Sequence, residues 1–174
     1  MLADNFDFRF ATPADAPQVH ALIERAYRGA VAATGWTNES DLLEGPRSTL
    51  EEVSGIIADP QSRFVLAIAN GEPVASALIR KVENGAYFGM FAVDPKLQQA
   101  GIGKMHIARC EADARRLWDA QFLRLTVISL RDELIAWYER RGFVRTGRRE
   151  PFPFDEAPGA LRTDFDLVVL QKPL

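Results

Sequence analysis

The segment Asp94-Pro95-Lys96-Leu97-Gln98-Gln99-Ala100-Gly101-Ile102-Gly103-Lys104 constrains the fold more than any other part of the chain. It joins an apolar run, Tyr87 to Val93, that reads as a strand to a helical pattern extending to about Asp119. A strand, a glycine-rich turn and a helix together aim unpartnered backbone N–H groups, and the positive end of a helix dipole, at one spot. Gly101 and Gly103 carry no Cβ and so admit an anion close to the main chain; Lys104 adds a cation in the first turn. The stretch reads as a pyrophosphate cradle, although the same residues would also serve as an ordinary helix entry. The spacing is not that of a dinucleotide turn, because His106 stands where the third glycine would be. Nor is it a nucleotide P-loop, because Met105 follows Lys104.

The chain has 174 residues, enough for one domain spanning 1–174 that buries roughly 70% of its unfolded surface. A net charge of −3 argues against a general nucleic-acid or membrane binder. Arg140, Arg141, Arg145, Arg148 and Arg149 nevertheless crowd one stretch, either as a solvated face or as a contact for a polyanionic cofactor or acidic substrate. One cysteine, Cys110, excludes an internal disulfide and leaves no basis for a cysteine zinc site. The acidic first residues lack a leader's apolar core, and no apolar run approaches the roughly 18 residues of a membrane helix. A cytoplasmic protein is expected.

Phe6, Phe8 and Phe10 alternate with polar residues, as in a half-buried strand. Thr12-Pro13 offers a helix start, and Val19, Leu22, Ile23, Ala26 and Tyr27 form a buried stripe that should end near Gly29 or Gly35. Ser48-x-x-Glu51 suggests a capping box for a second helix toward Ala58. Strands 63–69 and 73–82 flank Asn70-Gly71, and Asn84-Gly85 offers a second tight turn. Helix 101–119, strand 121–128, helix 132–141 and strands near 143–149 and 164–171 follow. The expected order is β-α-α-β-β-β-α-β-α-β-β. Pro151 to Gly159 reads as a long functional loop.

Gln98-x-x-Gly101-x-Gly103 resembles the (Gln/Arg)-x-x-Gly-x-Gly/Ala signature of the GCN5-related N-acetyltransferases (GNAT). Tyr138-Glu139-Arg140-Arg141-Gly142-Phe143 is similar to the family's Tyr-x-x-x-Gly-Phe helix end, and the element order matches over nearly the whole chain. The resemblance implies the α/β acyl-CoA N-acyltransferase fold, a mixed central sheet flanked by helices, and acetyl-CoA as cosubstrate with no metal. Gln98, Gln99, Ala100, Gly101, Ile102, Gly103 and Lys104 would hold the pyrophosphate. Phe91, Ala92 and Val93 would pair with the pantetheine arm like an added strand, where strands four and five splay apart. A backbone amide there would polarise the thioester carbonyl.

The implied reaction is direct attack of a primary amine on the thioester, with Tyr138 as general acid for the leaving thiolate. Tyr138 could equally be a packed aromatic at a helix end. A lysine-like amine of pKa about 10.4 is less than roughly 0.1% neutral at pH 7, a penalty of about 4–5 kcal/mol. Some family members meet it with a strand-four glutamate, but Tyr87-Phe88-Gly89-Met90-Phe91 carries no carboxylate. Water, Glu39, Asp41 or bulk solvent remain as proton acceptors. Arg131 stands where the family often has asparagine, and Leu134 where it often has a small residue; Arg131 would reach a phosphate instead.

Between the first two helices, Trp36, Glu39 and Arg47 would form one wall of the acceptor site, with Phe154 of Phe152-Pro153-Phe154-Asp155 opposite. Trp36 and the carboxylates suit a cationic amine. Arg47 points to a substrate carboxylate or an internal ion pair. Both segments also fit plain packing. His106 and Cys110 follow the apolar stripe of their helix and read as core, and His20 as a surface residue. Two histidines and no Gly-x-Ser-x-Gly give a hydrolase triad little support. The favoured acceptor is a small-molecule amine. A homodimer is a family habit for which the sequence shows no interface. The alternative is a catalytically weak acyl-CoA-binding sensor or scaffold.

Overall fold

The computed structural model describes residues 6–28, 41–97, 101–157 and 159–174. The elements are β1 (Asp7–Phe10), α1 (Ala16–Tyr27), α2 (Leu50–Ala58), β2 (Ser62–Ala69), β3 (Glu72–Val82), β4 (Gly85–Val93), α3 (Ile102–Trp118), β5 (Phe122–Ile128), α4 (Asp132–Glu139), β6 (Val144–Glu150) and β7 (Leu167–Pro173). This is the order expected from the sequence. The strands form one mixed sheet, β1-β2-β3-β4-β5-β7-β6, in which only β4 and β5 run parallel.

Each face of the sheet carries its own apolar cluster. Val19, Leu22, Ile23 and Ala26 of α1 and Val53 and Ile56 of α2 pack on Phe64, Leu66, Leu78 and Met90. The opposite face packs Ile102, Ile107, Cys110 and Ala114 of α3 and Ile135 and Tyr138 of α4 against Val65, Ile79, Phe88 and Phe91. Burying each large apolar side chain stabilises the fold by roughly 1.5–3 kcal/mol. His106 belongs to this second layer: fully buried, it donates its Nε2–H to the Val65 carbonyl at 2.8 Å and meets Phe8 and Phe91 edge-on. Desolvation lowers its pKa to about 4, so it is neutral at pH 7.

Local expectations fail at three places. The cap of α2 is Thr49, whose hydroxyl accepts the Glu52 N–H at 3.0 Å. Ser48, one residue earlier, is instead buried against Glu24. Asn70-Gly71 turns as expected, both with positive φ (51° and 78°), but the second turn is Glu83-Asn84, because Val82 already pairs with Gly85. Gly85 lies in the strand, where a Cβ would stand 2.4 Å from the Phe122 ring. His20 is half-buried, its Nε2 3.1 Å from the Ser48 carbonyl. α1 ends at Tyr27, and the expected ends at Gly29 or Gly35 lie outside the described residues. Among the described residues no helix is long and apolar enough to cross a membrane.

Candidate active site

β4 and β5 are paired only at Ala86–Leu123 and Tyr87–Arg124. Beyond those pairs lies a cavity of about 840 Å³, lined by Tyr87 to Phe91 on one side and Leu125 to Ile128 on the other. Ser76 pairs with Ala92 but Leu78 with Gly89, so Ala77 stands opposite both Met90 and Phe91. At this bulge Met90 takes a φ of +46°, a left-handed conformation that a non-glycine residue holds only where packing enforces it. Met90 is buried against the α1 layer. The Phe91 carbonyl, next in the chain, accepts the Tyr27 hydroxyl at 2.7 Å.

All three tyrosines of the chain, Tyr27, Tyr87 and Tyr138, line this cavity. Tyr138 is held by edge-on contacts with Trp137, Phe143 and Phe88 at 5.1, 5.6 and 6.5 Å between ring centroids. Burial pushes its phenol well above the ordinary tyrosine pKa; nearby Tyr27 adds to the rise and Arg131 opposes it. A phenol in that state keeps its proton at neutral pH. The Tyr87 ring reaches over Gly89. A Cβ on Gly89 would stand 2.6 Å from its ring, so the bare glycine is what seats it.

At the other end of β4, Asp94 turns the chain toward α3, its Oδ1 accepting the Lys96 N–H at 3.0 Å. Gly101 precedes the first turn of α3 with φ +75°, and a Cβ there would meet nothing, so the backbone conformation is what requires glycine. Gly103 has a packing task as well. It is buried, and a Cβ would stand 3.0 Å from the Trp137 indole, so it seats α4 against α3. Lys104 is exposed beside it, and Ile102 is buried. Ala92 and Val93 are fully buried, which leaves only their main chain to meet a ligand. Gln98, Gln99 and Ala100 lie outside the described residues.

Arg131 stands at the N-cap of α4 and lines the cavity with Leu134 and Tyr138, a wall to which, among the described residues, Gly101 to Lys104 do not contribute. Three arginines of the basic stretch 140–149 are engaged within the protein. Arg141 stacks on Trp137 at 3.6 Å, Arg145 pairs with Glu139 and Arg149 with Asp166.

Across the cavity, Arg47 lines the wall with its guanidinium carbon 5.3 Å from the Tyr27 ring centre. Trp36 and Glu39 lie outside the described residues. Phe154 corrects the sequence reading: it packs with Phe152 and Phe165 at 4.9–5.1 Å between centroids, while Phe152 and Pro153 face the cavity. Two loops are stitched together above them. Leu43 pairs with Ala160, the Glu44 N–H donates to the Gly159 carbonyl at 2.6 Å, and the Leu161 N–H to the Leu42 carbonyl at 2.8 Å. A Cβ on Gly159 would fall 1.9 Å from the Glu44 carbonyl oxygen. Sequence reasoning missed this strap, Tyr27 and Tyr87. Gly89 inside a strand was the one local signal for the bulge. Among the described residues no group of three metal-ligating side chains gathers.

The profile of the acetyltransferase (GNAT) family matches residues 19–143, most of the chain and every element from α1 to α4. The chain belongs to this family. Its fold is shared with the ribosomal-protein-S18-alanine N-acetyltransferase of Escherichia coli (19% identity, 97% of this chain and 94% of that one, TM-score 0.70). An N-acetyltransferase of Staphylococcus aureus Mu50 is similar at 16% identity (97% of each chain, TM-score 0.73). A protein proposed to be a streptothricin acetyltransferase of Bacillus anthracis, solved with acetyl coenzyme A, matches at 21% identity over 69% of this chain and 66% of that one (TM-score 0.58). None of the curated proteins compared matches the chain. The GNAT acyl donor, acetyl-CoA, fits the features present: a helix N-terminus entered through left-handed Gly101, and a gap where β5 leaves β4.

Proposed function

We propose that this GNAT protein, a single domain over residues 1–174, transfers an acetyl group from acetyl-CoA to the primary amine of a small molecule. What supports the reading best is that the gap between β4 and β5 opens onto a buried, protonated Tyr138. The donor supplies an acyl group already activated as a thioester. Gln98 to Lys104 hold its pyrophosphate through main-chain N–H groups and the charge of Lys104. The β4 main chain at Phe91 to Val93 lines up its arm. Arg131, which lines the cavity, would meet the donor there.

The chain's own chemistry then divides between positioning and one proton. The acceptor amine, held between the strap and β4, attacks the thioester directly. Tyr138 donates its proton to the leaving sulfur. β4 offers no carboxylate to the amine. The amine must therefore arrive neutral, losing its proton to water or to a loop carboxylate.

Thermal unfolding with and without saturating acetyl-CoA tests the donor site. At 100 times the dissociation constant, binding adds about 2.7 kcal/mol, a shift of roughly 5–10 °C for a domain of this size. Free-thiol release with an amine panel tests transfer. A shift without release from any amine would replace the enzyme by an acyl-CoA sensor. No shift with acetyl-CoA or CoA would reduce the glycine turn to a helix entry.

A further inference from the structure

We infer that the Tyr87 hydroxyl is the group on β4 that holds the acceptor amine, accepting one of its N–H groups so that the nitrogen lone pair faces the thioester; this rests on the acetyltransferase reading of the cavity. The three phenols lining that cavity are differently employed. Tyr27 donates its hydroxyl to the Phe91 carbonyl at 2.7 Å. Tyr138 and Tyr87 have no hydrogen-bond partner for theirs among the described residues. Tyr138 is read as the proton donor to sulfur. Tyr87 is half-buried, and its hydroxyl, able both to donate and to accept, opens onto the cavity with no task inside the protein.

The two hydroxyls come from opposite faces of the sheet. Tyr138 belongs to the α3–α4 layer, together with Ala86 and Phe88, the neighbours of Tyr87 in the strand. Strand alternation therefore sends Tyr87 and Gly89 to the face covered by α1 and α2. The connection between those helices, Pro46 to Thr49, lines the same cavity, with Glu52 beside it. An amine arriving from that wall meets β4 first at this pair. A Cβ on Gly89 would stand 2.6 Å from the Tyr87 ring and 2.8 Å from its hydroxyl oxygen. The bare glycine thus lets the phenol lie down on the main chain, one residue before the bulge at Met90. Tyr87 also adds to the rise in the Tyr138 pKa, after the larger effects of burial and Tyr27, so the two phenols bear on a common space. The nucleophile is held on one side of that space and the proton for the leaving sulfur on the other.

The test is steady-state thiol release with acetyl-CoA and the best acceptor among glycine, glutamate, lysine, phenethylamine, putrescine and spermidine. Tyr87→Phe keeps the ring over Gly89 and removes only the oxygen. It is expected to lower kcat/KM for the amine by roughly 10–100-fold, the scale of a misplaced reactant. The KM for acetyl-CoA, its thermal shift and the unfolding midpoint should stay as in the wild type. Gly89→Ala displaces the phenol and should lower the same constant. Because both changes remove one contact, the double variant should be no worse than the poorer single one. A Tyr87→Phe enzyme within about twofold of wild type toward the amine overturns the inference. So does a loss that falls on the acetyl-CoA KM, or two losses that multiply in the double variant. Each of these leaves the acetyltransferase reading standing. An acetyl-CoA thermal shift with no thiol release from any of the six amines overturns both.

Discussion

The donor side of the cavity is assembled from regular elements and short sequence spacings, whereas the acceptor side is closed by two loops that meet only in the tertiary structure. On the donor side, β4, the Asp94 turn and the first turn of α3 follow one another along the chain, and α4 is fitted by a single glycine, Gly103. On the acceptor side, Leu43 and Ala160 come together through backbone hydrogen bonds and a cluster of Phe152, Phe154 and Phe165. The first arrangement constrains residue types at fixed offsets. The second constrains only the total shape, so many sequences satisfy it.

The largest effect separating the two sides should come from Tyr138→Phe. Loss of the proton donor is expected to lower turnover by roughly 10²–10⁴-fold. The ring's contacts with Trp137 and Phe143 remain, so the thermal shift by acetyl-CoA should be unchanged. Steady-state thiol release and thermal unfolding on the same preparation check both halves of the statement. Unchanged turnover would reduce Tyr138 to packing.

Next in size is an acid sensitivity confined to the donor side. His106 fastens α3 to β2, and its pKa is lowered from 6.5 to about 4 by burial. The unfolded chain therefore binds one more proton than the native state between these values. Stability is complete above about pH 6.5, falls as the pH drops toward 4, and loses nothing further to this group below that. The loss approaches about 3 kcal/mol. Asp15, held well below the carboxylate range by its hydrogen bonds from Arg9, makes its own loss only at lower pH. Denaturant unfolding from pH 7.5 to 4.5 checks this, with His106→Gln expected to flatten the profile.

A pair of alanine substitutions gives the smaller, sharper contrast. Gly103→Ala pushes a methyl group toward the Trp137 indole and should cost about 1–3 kcal/mol of stability while weakening acetyl-CoA binding. Gly159→Ala collides with the Glu44 carbonyl and should open the strap, raising the acceptor KM by about tenfold with acetyl-CoA binding intact. Equal effects of the two on both ligands would erase the distinction between the sides.

The same distinction decides what could be read from the amino-acid sequence. Every helix and strand was legible, because buried stripes such as Val19-Leu22-Ile23-Ala26 and turn signals such as Asn70-Gly71 act within a few residues. Gly101 and Gly103 were legible as the glycines of a helix entry, but the packing of Gly103 was not, since nothing local announces that Trp137 lies against it. Thr49 displaced Ser48 as the cap because Glu24, on another helix, claims the Ser48 hydroxyl. Tyr27 counted only as the end of an apolar stripe. Its bond to the Phe91 carbonyl depends on the β4 bulge, a register shift set by β3.

The brief contact of β4 with β5 also has a mechanical side. Among the described residues, two ladder pairs and the Gln121 N–H donated to the Asn84 carbonyl at 2.9 Å form a short main-chain seam between the four strands β1 to β4 and the three strands β5, β7 and β6. The sheet is therefore two plates sharing a short hinge line, with rungs missing from the ladder between them. A molecule that lies in the gap and bonds to the β4 backbone supplies those rungs. Such a molecule would be a structural member of the protein for as long as it stayed.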